Sequence, residues 1–162
     1  MKRLILVLAL LIVTLISGCG RDYGILDYQS KNIKAECKIN DKYTVLLTKD
    51  ETGCKISISE PKEAEGICFE ITESSATVAT EDIKIEVDKE HLNGICAIAS
   101  IFSQSEECLT GAWEQDGESI LTFEQAGTHF QITLGDNSVP KRVKIVSQSF
   151  EYDIEICAIE LT

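Results

Sequence analysis

The chain has 162 residues, 44% of them hydrophobic and 26% charged, with a formal net charge of −12. That apolar content excludes a disordered chain and leaves material for one core. The acidity excludes a nucleic-acid backbone as partner, because such a partner requires clustered Lys and Arg.

Lys2 and Arg3 form a short positive start, and residues 4–16 are apolar apart from Thr14. Thirteen residues are too few to span a bilayer as a helix, but they have the length of a secretion-signal core. Ile16-Ser17-Gly18-Cys19 follows: an aliphatic residue, two small ones and a cysteine. It resembles the lipobox of bacterial lipoproteins. That resemblance implies removal of residues 1–18 and lipidation of Cys19. The mature chain is then held to a membrane, outside the cytoplasm in the cell envelope, by an N-terminal lipid anchor. With Lys2 and Arg3 gone, 15 basic residues become 13 against 27 acidic ones, a net charge of −14. An anionic leaflet repels such a body, so the lipid rather than charge would hold it.

Residues 19–30 read as a polar, lipidated tether, and residues 31–162 as one domain. Period-2 alternation dominates that domain. Ile33, Ala35, Cys37 and Ile39 alternate with charged neighbours, and Asn40-Asp41 marks a tight turn. Tyr43, Val45 and Leu47 form the next strand. Gly53 turns the chain into Cys54, Ile56 and Ile58. The polar link 61–66 leads to Ile67, Phe69 and Ile71. Strands over 76–80 and through Ile83, Ile85 and Val87 complete this run.

Residues 88–102 break the pattern. Leu92, Ile95, Ile98, Ala99 and Phe102 recur at helical spacing, and Asp88 is placed to cap the start. Gly94 inside this stripe weakens the helix. Strands resume over 110–114, and Asp116-Gly117 predicts a hairpin into 119–123. Phe130, Ile132 and Leu134 alternate next. Val143 and Ile145, then Phe150, Tyr152, Ile154 and Ile156, form the last two strands. Roughly ten or eleven short antiparallel strands and one helix result. The predicted class is mainly β: a strongly curved antiparallel sheet, an incomplete β-barrel, with one covering helix. A β-sandwich is the alternative.

Two segments carry a family resemblance. Residues 55–71 (KISISEPKEAEGICFEI) place a strand ending in Glu-Pro before a polar link, Gly-Ile and another strand. Residues 130–156 (FQITLGDNSVPKRVKIVSQSFEYDIEI) run from an aromatic-led strand through a polar turn to Pro-Lys-Arg-Val-Lys-Ile and a final strand. Together they resemble the LolA/LppX/LprG-like carrier fold of bacterial lipoproteins, over residues 31–159. The resemblance implies a half-barrel closing over a helical lid around an apolar cavity for acyl chains. Six body cysteines depart from that family, as does the lack of an evident long helix before Ile33.

A binder of acyl chains needs an apolar lining and no titratable constellation. A chain of about sixteen carbons, such as palmitate, contributes on the order of 12 kcal/mol gross. The expected lining is Ile56, Ile58, Ile67, Phe69, Ile71, Ile85, Leu92, Phe102, Phe130 and Ile132, although the same side chains could simply fill a core. No enzyme signature accompanies them. His91 and His129 stand apart, Ser119 and Ser138 lack a nucleophile elbow, and no metal or cofactor motif occurs. Trp113 reads as ordinary packing. Cys37, Cys54, Cys68, Cys96, Cys108 and Cys157 could be bridged or free, since an exported chain meets oxidising conditions. Cys37 and Cys54 share a face with their aliphatic neighbours, whereas Cys68 and Cys157 lie opposite theirs. Two functions follow: a carrier of an acylated lipid or lipoprotein, or an anchored protein-interaction domain with a packed core.

Overall fold

Alternating side chains place every second residue of each strand on one face, and eleven strands realise that pattern here. The computed structural model describes residues 28–162. The strands are β1 (Ile33–Ile39), β2 (Tyr43–Lys49), β3 (Gly53–Glu60), β4 (Cys68–Thr72), β5 (Ala76–Ala79) and β6 (Lys84–Val87). After the helical segment come β7 (Leu109–Gln115), β8 (Glu118–Gln125), β9 (Thr128–Leu134), β10 (Pro140–Val146) and β11 (Glu151–Leu161). All belong to one sheet in the order β6-β5-β4-β3-β2-β1-β11-β10-β9-β8-β7. Every neighbouring pair is antiparallel, and the sheet is not closed. One sheet of this extent is the incomplete barrel; the sandwich alternative needs two.

The order explains the helix. β6 is one edge of the sheet and β7 is the other. The chain between them must cross a whole face, and a helical segment does so over the concave side. It begins as a 3-10 turn (Lys89–Leu92), continues as α1 (Asn93–Ala99) and ends as a 3-10 turn (Ser100–Phe102). Asp88 stands at its start as expected, but its side chain caps nothing. Its backbone carbonyl instead accepts the His91 N–H at 2.9 Å.

One core cluster contains Ile56 of β3, Phe123 of β8 and Ile98 of α1. In a flat sheet β3 and β8 would stand about 29 Å apart, six strand spacings. A helix is only about 10–12 Å across with its side chains. The sheet must therefore curl around it. Gly94 permits the close approach: a Cβ there would run into the Tyr152 hydroxyl of β11. The glycine that weakens the helix is thus what seats it.

Several local features follow from the chain. Asn40 (φ 51°) and Asp41 (φ 54°) take left-handed backbone at the first hairpin, as do Asp116 (φ 54°) and Gly117 (φ 83°) at the β7–β8 turn. Ala126-Gly127 makes a further such turn that residue type alone did not announce. The register between β1 and β11 slips beside Cys157, which has no partner across the ladder. This bulge resets the pleat. Ile154 and Ile156 face inward before it, and Ile159 and Leu161 turn toward the core after it.

The expected tether over 19–30 is too long. Tyr28 is only 2% exposed and packs edge-to-face on Phe102 at 6.2 Å. Gln29 donates its side-chain N–H to the Gln104 carbonyl at 2.6 Å. The folded unit therefore includes Tyr28 and Gln29, because an aromatic ring gains more by burial than by exposure on a tether. The signal segment 1–18 and Cys19 lie outside the described residues.

Candidate functional site

The register carries one inner row across the β3–β6 flank. Leu47 faces Ile56, Ile56 faces Phe69, Phe69 faces Val78, and Val78 faces Ile85. Along this row Leu47 and Ile56 are buried, Phe69 and Val78 half-buried, and Ile85 is 56% exposed. A second row, Cys54, Ile71, Ala76 and Val87, runs beside it. Ala76 is the one buried residue among β4, β5 and β6. Ile83, just before β6, is 58% exposed. The result is an apolar concave flank that opens toward its edge.

The convex face of the same strands is polar. The Glu70 carboxylate accepts from the Lys84 ammonium at 2.5 Å and lies 3.7 Å from that of Lys55. These contacts, Lys84 foremost, lower the Glu70 pKa. The flank is therefore amphipathic, with its charges outside and its hydrocarbon surface inside.

The expected lining residues divide between two environments. Ile56, Phe102, Phe130 and Ile132 are buried core. Ile58, Ile67, Phe69, Ile71 and Leu92 are half-buried, and Ile85 is exposed. The structure thus brings Phe69, Ile71 and Ile85 together on the open flank and seals Ile56, Phe102, Phe130 and Ile132 in the core. Val78 belongs with the open set, and the register that places it there is invisible in a four-residue strand. Ile101 was also missed as core; it is fully buried one position before the predicted end of the stripe. Trp113, expected as ordinary packing, lies on the convex side opposite Ile120 and beside Gly111 and is 41% exposed on edge strand β7.

Two openings flank the helix. One of about 320 Å³ lies among α1, Gln125, Ala126, Phe130 and Phe150. The other, about 650 Å³, is lined by Lys49, the turn containing Asp50 and Thr52, the end of β4, Lys89 and the helix residues Cys96, Ala99 and Ser100. Its floor carries Cys54, Ile71 and Ala99, so it abuts the open flank through Ile71.

All six described cysteines are free thiols. Strand order separates the pairs that shared a face. Cys68 on β4 and Cys157 on β11 are four strand steps apart, and Cys37 on β1 and Cys54 on β3 are two. Even two steps, about 9.6 Å, exceed disulfide reach. Burial pushes the Cys37 and Cys54 thiols up to about 12. It also raises the Cys96 thiol. The core hydroxyl of Tyr28 is likewise pushed up to about 12 by burial. His91 and His129 are exposed, and the His129 Nδ1 lies 3.8 Å from the Glu124 carboxylate. Among the described residues no three His, Cys, Asp or Glu side chains gather as metal ligands.

No family model matches the chain, and no curated protein matches it. Solved structures do. An uncharacterised conserved protein from Thermus thermophilus is similar at 14% identity and a TM-score of 0.48, over 86% of each chain. A LolA superfamily protein from Nitrosomonas europaea is similar at 14% identity and a TM-score of 0.47, over 86% of this chain and 92% of that one. A putative outer membrane lipoprotein-sorting protein domain from Vibrio parahaemolyticus is similar at 8% identity and a TM-score of 0.45, over 86% and 92%.

Proposed function

We propose that the protein is an extracytoplasmic lipoprotein, anchored through lipid on Cys19, that carries an acylated lipid or lipoprotein without catalysis. The acyl chain lies on the concave flank formed by β4, β5 and β6. One observation carries this reading: the inner row Phe69, Val78 and Ile85 runs from half-buried to exposed, while the inner faces of β8, β9 and β10 are buried. Exposed hydrocarbon on an inner sheet face costs about 25 cal/mol per Å² until something covers it. A flexible hydrocarbon chain does so without needing polar partners.

The experiment is expression of the full chain in a bacterial host, organic extraction of the purified protein and mass spectrometry of both fractions. The expected result is diacylglycerol on Cys19 together with a separate co-purifying lipid. Ile85→Asp should lose that second lipid and keep the first. A full chain that carries no extractable lipid, with Ile85→Asp indistinguishable from it, would sink the carrier reading. That outcome would leave the protein-interaction reading, for which the half-exposed Trp113 on edge strand β7 is the supporting feature.

A further inference from the structure

We propose that the groove between Lys49 and Lys89 is an anion subsite for the carboxylate or phosphate head group of a single-chain acyl lipid. This rests on the carrier reading and names its ligand class. Lys49 and Lys89 are the two half-buried lysines without a carboxylate partner among the described residues. The other described Lys and Arg side chains are either ion-paired or exposed. Both lysines line the same groove of about 650 Å³.

Their protons are only partly used. An ammonium has three donors. Lys49 gives one to the Gln29 carbonyl at 2.7 Å and, among the described residues, keeps two. Lys89 gives one to the Thr72 carbonyl and one to the Glu73 carbonyl at 2.7 Å, and keeps one among the described residues. These carbonyls hold the two lysines in place without cancelling their charge.

The Asp50 carboxylate feels the Lys49 charge but forms no ion pair with it among the described residues. One oxygen of Asp50 accepts the Thr52 N–H at 2.7 Å, its hydroxyl at 2.6 Å and the Gly53 N–H at 3.2 Å. That carboxylate closes its own turn. Glu51 and Glu73 are exposed and make no ion pair among the described residues.

The floor distinguishes a lipid from a free anion. Ile71 lies in the groove, and Phe69 lies two residues along the same face of β4. From Phe69 the row continues to Val78 and Ile85. A head group on the lysines therefore hands its hydrocarbon directly to the uncovered row. A free anion would use the lysines and gain nothing from the row.

The test uses the delipidated full chain and calorimetric titration at low salt with palmitate, monopalmitoylglycerol and inorganic phosphate. Palmitate should bind about tenfold or more tightly than the neutral lipid of equal chain length, as a charge-assisted hydrogen bond provides. Lys49→Gln should lose about that factor for palmitate and nothing for monopalmitoylglycerol. Lys89→Gln should do the same, with Lys89→Arg restoring affinity. Lys89 also ties down the β4–β5 turn, so Lys49→Gln decides the matter if Lys89→Gln fails to fold. Equal affinity for the two lipids, or equal loss for both in Lys49→Gln, overturns the subsite and spares the carrier reading. Phosphate binding as tightly as palmitate overturns the lipid as its source. Failure of both lipids to bind overturns both readings together.

Discussion

Strands β8, β9 and β10 and strands β4, β5 and β6 carry the same kind of alternating pattern, yet their inner faces meet different surroundings. On the first flank Leu121, Phe123, Phe130, Ile132, Leu134, Val143 and Ile145 are all at most 4% exposed. On the second, Phe69, Val78 and Val87 are half-buried and Ile85 is exposed. The strands of the second flank are also shorter, four or five residues against seven or eight. Alternation therefore specifies a face, and the path of the covering segment decides whether that face becomes core or surface. One sheet serves as scaffold at one end and as an apolar platform at the other.

The comparison breaks most readily at Phe123. Phe123→Ala should cost about 3–5 kcal/mol in urea unfolding, because it empties a closed part of the core. A loss under about 1 kcal/mol would mean that the β8 flank is as open as the β6 flank. A second probe is alkaline pH. Cys37 and Cys54 have folded pKa values raised from 9.0 to about 12, so they stay neutral when folded and ionise more readily once unfolded. Their contribution to stability is fully present below pH 9.0 and is lost as pH rises toward about 12. The urea midpoint should fall over that window, and Cys37→Ala should flatten the fall. A midpoint independent of pH there would place both thiols in water. The smallest effect is expected at the open edge, where Ile85→Asp should change stability by no more than about 0.5 kcal/mol. A cooperative loss of fold in that variant would make Ile85 core and remove the contrast between the flanks.

Much of this was legible in residue order. Hydrophobic alternation, the Asn40-Asp41 and Asp116-Gly117 turns and the stripe over 88–102 are local signals, each read from a few neighbouring residues. They suffice for the strand count and the single helix. The bulge at Cys157 had a signal too, since the inward residues switch from Ile154 and Ile156 to Ile159 and Leu161. Tyr28 did not, because a lone aromatic in a polar stretch looks the same whether tethered or docked.

The candidate site was legible only as a list of apolar residues. Nothing in the sequence separates Ile132, sealed at 0% exposure, from Ile85, open at 56%. Burial depends on what lies across the sheet, and that depends on strand order, on curvature and on where the helix crosses. The lysine groove is a sharper case. Lys49 and Lys89 are 40 positions apart in the chain and share one opening only because β2, the β4–β5 turn and the helix start converge. By itself, then, the sequence determined an alternating β domain with one helix and an even set of body cysteines. The tertiary structure decided which inner faces are core, which thiols are too far apart to bridge and which charges lack a partner among the described residues. These are distances between remote segments, and no local pattern encodes them.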